Sequence, residues 1–456
     1  MYRNRYEPIV ADGNHPQASR VVGLRRRWPE SLRALDHRNF RLFFAGQLIS
    51  MIGTWMQSVA QSWLVYRLTG SAALLGAVGF ASQIPVFLLA PLGGAIADRY
   101  GRHRIIVATQ AWAMVLAAIL TVVTFAGIVE VWQIFVLASL LGVVNAFDLP
   151  ARQSFVIEMV GRRDLVNAIA LNSSIVNSAR MIGPAVAGVT VAVLGEAWCF
   201  LFNAVSYVAV LAALLAMRVP RRAAVRDPRS AIRNIAAGFA YVARTPPILA
   251  LVLLLGLVSL MGMPYTVLMP IFADEILGGG PRGLGILTCA TGVGALAGAL
   301  SLTFRKSVYG LGRVVAAASA AFGVSLILFS LSDSFWVSAA LLIPSGFSMM
   351  VQMASSNTLI QAMVPDELRG RVMAVYSMMF MGMAPFGAMF AGLVAERLGA
   401  PTTVAIGGTV CIAGGGLFAL WLPALRPRAR ELIVAQQMAP GEPPEEVTGS
   451  PMAAEH

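Results

Sequence analysis

Long apolar runs, separated by short charged or turn-rich breaks, dominate this chain of 456 residues. Each run is close to the roughly 20 residues that a helix needs to cross a bilayer core about 30 Å thick. The pattern predicts twelve transmembrane helices, near residues 42–66, 73–96, 104–127, 131–150, 166–194, 198–217, 247–272, 284–304, 313–331, 335–360, 371–395 and 401–422. The expected fold class is therefore an all-α membrane protein.

The distribution of charge predicts how the chain lies in the membrane. Only 12% of the residues are charged, against about 25% in soluble proteins. The net charge of +12 alone would suit nucleic acid, but all but four of the 34 Arg and Lys lie in the terminal segments or after even-numbered helices. Positive charge concentrates on the cytoplasmic side. We therefore expect both termini in the cytoplasm, a multi-pass protein of the inner (plasma) membrane, and no nucleic-acid partner.

Two groups of six helices are predicted, at residues 41–218 and 247–423. The Arg-rich stretch 219–246 between them reads as a central cytoplasmic loop, with a possible surface helix over Ser230–Val242. Residues 1–40 are a polar N-terminal segment, either solvated or partly an interfacial helix, and 424–456 are a predicted disordered tail. Gly188 and Gly392 recur at an offset of 204 residues, which supports an internal repeat of two halves.

The loop after the second helix carries the most specific motif. It reads Gly94-Ala95-Ile96-Ala97-Asp98-Arg99-Tyr100-Gly101-Arg102-His103-Arg104. This resembles the signature G-x-L-A-D-R-x-G-R-[KR] of the major facilitator superfamily of secondary transporters, with His103 departing at the last basic position. The resemblance implies the major facilitator fold, in which two six-helix bundles enclose a substrate site near the midplane.

Two further stretches narrow the resemblance. Asp148–Gln153 followed by Asn167–Asn172 is similar to the bacterial drug:proton antiporter group that includes the enterobactin exporter. Gly183, Pro184 and Gly188 partly match the G-P-x-x-G-G element of antiporters, and physically they predict a helix bend. The resemblance implies a monomeric secondary transporter that exports drug- or siderophore-like amphipathic molecules by alternating access, coupled to protons. A nutrient-uptake symporter of the same fold, or a non-transporting scaffold or receptor, is the alternative.

Charges at the ends of the second and fourth helices form a predicted gate. We expect Asp98 to pair with Arg152, and Arg102 to reach Asp148, with Arg99 beside them. Removing one partner of a partly buried pair costs more than losing a surface bridge. These contacts would hold the two halves together when the cytoplasmic side is closed.

A stripe of polar residues follows one face of the first helix. The stripe is spaced at intervals of three and four residues, which places it on one helical face, and consists of Gln47, Ser50, Thr54, Gln57 and Gln61. Unsatisfied polar groups in hydrocarbon cost several kcal/mol each. The stripe is therefore either packing between helices or the wall of a water-filled cavity, and we predict the cavity.

The fifth helix carries Arg180, the only basic residue deep inside a predicted span. A charge near the midplane costs at least ~2.5 kcal/mol, so a cavity-facing position with a partner is expected. That partner is either a helix carbonyl or Asn203, or the anionic part of a substrate or a proton-carrying acid, with Asn177 supplying hydrogen bonds. Met353 and Met379 belong to a Met-rich stretch that predicts either an adaptable cavity wall or gap-filling between helices.

Several functions are disfavoured by what the sequence lacks. Lys306 is the only Lys and no phosphate-binding Gly-rich loop precedes it, so ATP hydrolysis is not expected. No nucleophile–base pair or metal-ligand set lies in the predicted spans. We therefore expect neither an enzyme nor a cofactor or metal site, and the partners are a small-molecule substrate, protons and lipid.

Overall fold

Helices joined by short turns make up residues 28–218, 229–305 and 307–438, the ranges that the computed structural model describes. Within these ranges there are fourteen α-helices and no strand. The helices are α1 Arg38–Thr69, α2 Ala72–Tyr100, α3 Arg102–Phe125, α4 Val131–Val160, α5 Leu165–Leu194, α6 Glu196–Leu215, α7 Arg229–Arg244, α8 Pro246–Leu257, α9 Tyr265–Ile271, α10 Gly280–Thr303, α11 Leu311–Ser330, α12 Phe335–Met363, α13 Asp366–Leu398 and α14 Ala400–Met438.

Among the described segments, eleven helical stretches are long and apolar enough to cross a membrane. One of them, Pro246–Ile276, comprises α8 and α9 with the turns beside them. Helix α1 is not among the eleven, although its 32 residues exceed the length that a span needs. The polar stripe from Gln47 to Gln61 lowers the mean hydropathy of α1. The predicted all-α membrane fold is confirmed, with eleven of the twelve predicted spans meeting both criteria.

The helices pack as two bundles, α1–α6 and α8–α14. Corresponding neighbours recur in each: α2 packs on α4 as α10 packs on α12, and α3 packs on α6 as α11 packs on α14. We call these bundles the first and second halves. They meet mainly along two lines of contact, where α2 packs on α13 and α5 packs on α10.

Glycines bring the helix backbones together along both lines of contact. A methyl group added to Gly76 would lie 2.9 Å from the Cα of Gly392, and one added to Gly188 would lie 2.8 Å from the Cα of Gly285. We call these two contacts the glycine seams. Gly188 and Gly392, which the repeat relates, therefore occupy corresponding places in the two halves.

Glu196 and Glu158 lie at opposite ends of the bundles, which we call the Glu196 end and the Glu158 end. At the Glu196 end lie the turns at Gly70, Gly195 and Gly399, and the glycine seams lie within three turns of it. At the opposite end, the Glu158 end, lie the turns at Gly101 and Gly161.

The seventh predicted span, 247–272, is not one continuous helix. Helix α8 ends in a π-helical turn at Val258–Gly262, α9 begins after Pro264, and a second π-helical turn covers Phe272–Ile276. Pro264 has no N–H to continue the hydrogen-bond ladder. Beside this break, the Ser259 hydroxyl donates a hydrogen bond across to the Phe380 carbonyl of α13.

Two helices run further than the sequence predicts, past internal prolines. Helix α4, predicted to stop at residue 150, continues through Pro150 to Val160, and α14 continues through Pro423 and Pro427 to Met438. Prolines are tolerated in such helices when neighbouring groups satisfy the freed carbonyls. The added part of α14 packs apolar side chains on the core, namely Leu425, Ala429, Leu432 and Ile433. The predicted disordered tail from residue 424 is thus wrong up to Met438, and its remainder lies outside the described residues.

The last part of the predicted N-terminal segment is fixed to the first half. A 3₁₀ turn covers Glu30–Asp36, and the Ala34 N–H donates to Asn167 Oδ1 over 2.9 Å. Asp164 Oδ1 lies 3.0 Å from Arg33 Nε. These contacts join the segment to α5, so neither predicted alternative, a solvated tail or an interfacial helix, describes it.

The surface helix predicted over 230–242 is present as α7. It packs on α13, where a methyl group added to Gly238 would lie 2.6 Å from the Arg371 carbonyl oxygen. Helix α7 is therefore attached to the second half.

Candidate functional site

A cavity of about 460 Å³ lies between the two halves. Its wall combines α1, α2, α4, α5 and α6 of the first half with α9, α10, α12 and the turn at Met263 of the second. The volume falls in the range of sites for drug-sized ligands. Apolar wall residues include Trp55, Val78, Leu141, Met263 and Met349, and neutral polar ones include Ser58, Gln61, Ser82, Gln83 and Asn145. This mixture suits a ligand with an apolar body and a few polar groups.

Arg180 is the one charged residue on the described wall of this cavity. It projects from α5 beside α1, with its guanidinium carbon 5.4 Å from the centroid of the Trp55 ring. Its Nε is buried and has no hydrogen-bond partner among the described residues. The fixed bond to Asn203 that the sequence offers as an alternative is not formed, because Asn203 is engaged elsewhere.

Gln57 both lines the cavity and joins two helices. Asn203 Nδ2 of α6 donates to Gln57 Oε1 over 2.6 Å, and both side chains are buried. The two readings of the stripe, packing and cavity wall, therefore both apply at this position. Gln61, one turn further along α1, lines the cavity with no hydrogen bond to another described residue.

We expect Gln61→Ala to change the selectivity of ligand binding without weakening the fold. Losing one hydrogen bond to a ligand raises an apparent Kd roughly three- to tenfold. Gln57→Ala, the comparison, also leaves the buried Asn203 Nδ2 without its acceptor and is expected to lower the unfolding temperature. Thermal unfolding and binding of fluorescent amphiphiles to the purified variants separate the two effects. Unchanged binding by both would mean that the stripe serves packing alone.

The other predicted cavity residues divide between the wall and the interior. Thr54 lies on the wall and donates to the Ser50 carbonyl of its own helix over 2.9 Å. Gln47 is buried in α1 away from the cavity, and Asn177 donates to the Ser173 carbonyl of its own helix over 2.9 Å. Met353 and Met379 are also absent from the wall.

Both methionines pack against the apolar core, as gap-filling predicts. The methionines on the wall are Met263, Met269 and Met349. The Met-rich stretch does contribute to the cavity, but through Met349. Methionine fills irregular gaps in a core as readily as it lines a cavity, so its residue type does not decide which of these positions faces inward.

Sequence reasoning missed the aromatic residues of the wall. Trp55, Tyr207 and Tyr265 all line the cavity. Trp55 lies one residue outside the polar stripe, and Tyr265 follows the break at Pro264. Aromatic side chains carry one apolar face and one polar edge, so a search of the residues next to the stripe would have found Trp55.

The predicted gate pairs form differently. Asp148 is buried, with 1% of its surface exposed, and it accepts hydrogen bonds from Thr109 Oγ1 over 2.8 Å and Gln110 Nε2 over 3.0 Å. Its second oxygen pairs with Arg152, one turn along the same helix. Asp148 pairs with Arg152 and Arg102 does not reach it, so the predicted pair of Arg102 with Asp148 is wrong. The predicted pair of Arg152 with Asp98 stays a prediction, because the side chain of Asp98 lies outside the described residues.

Arg102 pairs with Glu158, whose Oε1 lies 2.8 Å from Arg102 Nη1. The same nitrogen donates to the Ser154 carbonyl over 3.0 Å, while Arg99 is exposed. Asp148 and Glu158 both lie on α4, so sequence alone could not decide between them. The contacts of Arg102 join α3 to α4, and the Asp148–Arg152 pair lies within α4. None of these described contacts joins one half to the other.

The predicted helix-bend residues lie where α5 meets other helices. A methyl group added to Gly183 would lie 2.5 Å from Trp55 Cβ of α1, and Pro184 follows inside the unbroken α5. Gly188 forms one of the glycine seams. The two glycines thus permit close packing on α1 and α10.

Hydrogen bonds join the halves at the Glu196 end. Tyr66 Oη of α1 donates to Glu275 Oε1 over 2.6 Å. Glu396 Oε2 of α13 accepts from Ser71 Oγ and from the Ala73 N–H, both over 3.0 Å. Two carboxylates of the second half therefore hold the beginning of α2 and the end of α1.

Removing the Tyr66 hydroxyl is expected to weaken closure at this end. One hydrogen bond to a charged group is worth about 1.5–3 kcal/mol, so Tyr66→Phe should raise the population open at the Glu196 end roughly tenfold or more. Double electron–electron resonance between spin labels on the two halves measures that population. Tyr309→Phe, at an exposed position at the other end of the bundles, is the control. Identical distance distributions in all three proteins would contradict a role for this bond.

Comparison with known proteins agrees with this architecture. Residues 30–446 match the model of the family described as transmembrane secretion effectors. The chain is similar to the staphyloferrin A transporter of Staphylococcus aureus (strain NCTC 8325 / PS 47), 27% identical over 380 residues that cover 82% of this chain and 94% of that one. It is also similar to macrolide efflux protein A of Streptococcus pyogenes, 24% identical with 82% and 94% covered.

A crystal structure of a mutant of the nucleoside transporter NupG superposes with a TM-score of 0.68 at 16% identity, covering 84% of this chain and 99% of that one. This likeness is one of fold. Together with the family match, it agrees with the two bundles and the cavity between them. The chain belongs to the transmembrane secretion effector family of the major facilitator superfamily, and it is a transporter, not an enzyme.

Proposed function

We propose that this protein exports small amphipathic molecules across the cell membrane by alternating access, as a monomer with twelve membrane-spanning helices. The observation that carries the proposal is the cavity lined by both halves, together with the glycine seams that join the halves near the Glu196 end. A site enclosed by two halves of one chain needs no second copy. It is exposed to either side of the membrane in turn when the halves rock about it.

Charge supports the orientation. The arginines at 99, 102, 104, 162 and 163, together with the described beginning of α1 and end of α14, lie at the Glu158 end, which we therefore place in the cytoplasm. The Glu196 end then faces outward, and the seams close the cavity to the outside. We take the conformation described here as the one that receives cargo from the cytoplasm.

The cavity wall supports an amphipathic cargo. Trp55, Leu141 and Met349 offer apolar contact, while Gln61 and Asn145 offer hydrogen bonds. The names of the two similar transporters, one for staphyloferrin A and one for macrolide efflux, point the same way. A small, strongly hydrated nutrient would leave most of this wall unused.

We further propose that export is driven by protons and that Asp148 carries the proton. Its buried carboxylate lies in the half that bears the loop motif, and its partner Arg152 is held by few other contacts: Arg152 Nη1 lies 3.8 Å from Met51 Sδ, and its Nε has no hydrogen-bond partner among the described residues.

The test uses inverted membrane vesicles and a set of dansyl-labelled amphiphiles. With a proton gradient, acid inside, vesicles containing the protein should accumulate at least one of these compounds above vesicles from the empty host, and a protonophore should abolish the difference. Equal accumulation in both kinds of vesicle for every compound would overturn the proposal. Accumulation that survives the protonophore would overturn proton coupling alone.

A further inference from the structure

Arg180 places an uncompensated positive charge in the cavity. No Asp or Glu lies on the described wall, and no described residue forms an ion pair or hydrogen bond with its guanidinium. The Trp55 ring centroid lies 5.4 Å from its guanidinium carbon, and Tyr265 lines the same cavity. Holding a charge away from bulk water without a partner is costly, so the arrangement is one that a bound anion would complete.

The surroundings of Arg180 come from both halves. A methyl group added to Gly292 of α10 would lie 3.1 Å from the Arg180 carbonyl oxygen, so α10 approaches α5 at this residue. The Tyr265 hydroxyl of α9 is buried without a hydrogen-bond partner at bonding distance among the described residues. The wall of one cavity therefore holds a hydroxyl of the second half together with the cation of the first.

We propose that the cargo carries a carboxylate, bound by Arg180 as a bidentate pair, with its apolar body on the Trp55 and Met349 walls. This inference rests on the proposed export function and names the chemical class of the substrate. The guanidinium presents two parallel N–H donors that match the two oxygens of a carboxylate. The same unpaired charge repels cationic amphiphiles, since charges in a partly dry cavity interact more strongly than in water.

Three probes of nearly equal size test the proposal: dansyl-aminooctanoic acid, its carboxamide, and the corresponding dansyl diamine. Binding to the purified full-length protein is measured by dansyl fluorescence at neutral pH, where the acid is an anion and the diamine a cation. The native protein should bind the acid about tenfold or more tightly than the carboxamide. The diamine should bind more weakly than the carboxamide.

Arg180→Gln should bind the acid and the carboxamide equally, whereas Arg180→Lys, which keeps the charge but loses the planar fork, should retain part of the preference. Arg397→Gln removes the same charge from an exposed position at the end of α13 and should bind as the native protein does. Gel filtration and thermal unfolding of each variant verify the fold, and the Lys variant serves if the Gln variant does not fold.

The outcomes separate this inference from the export function. Equal binding of acid and carboxamide by the native protein, or a preference for the acid that persists in Arg180→Gln, overturns the carboxylate proposal. If the vesicles then still export the carboxamide, the export function stands alone. If the native protein binds and transports none of the three probes, both proposals fail.

Discussion

Gly188→Val is expected to abolish transport while leaving each half folded. A Cβ at this position would lie 2.8 Å from the Gly285 Cα and 2.9 Å from the Pro281 carbonyl oxygen. Both are backbone atoms of a rigid helix, which cannot move aside as a side chain can. Because α5 and α10 belong to different halves, the clash is relieved when the halves separate at the Glu196 end. The variant should therefore stay open at that end and fail to complete the transport cycle.

The measurement is labelling of Ser62→Cys, a cavity-wall position, in intact cells by a membrane-impermeant maleimide. Labelling should rise roughly tenfold or more in the Gly188→Val background. Gly294→Val is the matched control, because its Cβ would lie 1.9 Å from the Ile343 carbonyl oxygen within the second half, where no rigid-body motion relieves the clash. That variant should lose folded protein instead. Native labelling together with native transport in Gly188→Val would contradict the seam as the outer closure.

Asp148→Asn is expected to abolish proton-driven accumulation of the cargo. Asparagine keeps the shape of the side chain but cannot take up or release the proton. If Asp148 couples transport to protons, the variant should still exchange labelled for unlabelled cargo across the membrane while no longer concentrating it. Loss of the buried partner of Arg152 also costs stability, on the order of 3–5 kcal/mol for a buried pair, so thermal unfolding is measured in parallel.

Glu158→Gln provides the comparison. This substitution removes the carboxylate charge that pairs with Arg102, from a side chain that is 22% exposed. We expect transport to continue under a proton gradient. Gradient-driven accumulation that persists in folded Asp148→Asn would exclude Asp148 as the proton carrier. Loss of both accumulation and exchange would assign Asp148 a structural role.

The sequence predicts the helices well because each span must be long and apolar, whatever its neighbours. Because every span is apolar for this reason, apolar residues alone do not show which face of a helix packs on its neighbours. The stripe on α1 identified Gln57 and Gln61, since polar residues stand out on an apolar helix. Met353 and Met379 were misplaced because a methionine fills gaps in a core as readily as it lines a cavity, so the residue type alone does not mark the inward face.

Pairing between distant charges is the second limit. Arg102 has two acids to choose from on α4, Asp148 and Glu158, and only the relative position of the helices decides for Glu158. The end of α14 differs, since apolar residues continue at intervals of three and four through Leu422, Leu425 and Ala429. The apolar periodicity there predicts a longer helix, but the prolines at 423 and 427 led to the prediction that the helix ends at residue 422.

The break at Pro264 makes the two halves mechanically unequal. Helix α1 of the first half is continuous from Arg38 to Thr69 without proline, whereas its counterpart in the second half is divided by two π-helical turns and Pro264. The second half can bend at the helix break around Pro264, beside the cavity, whereas the continuous α1 gives the first half no such bending point. Backbone amides around 258–276 should therefore exchange with deuterium faster than those of α1, and cargo bound against Tyr265 should slow that exchange.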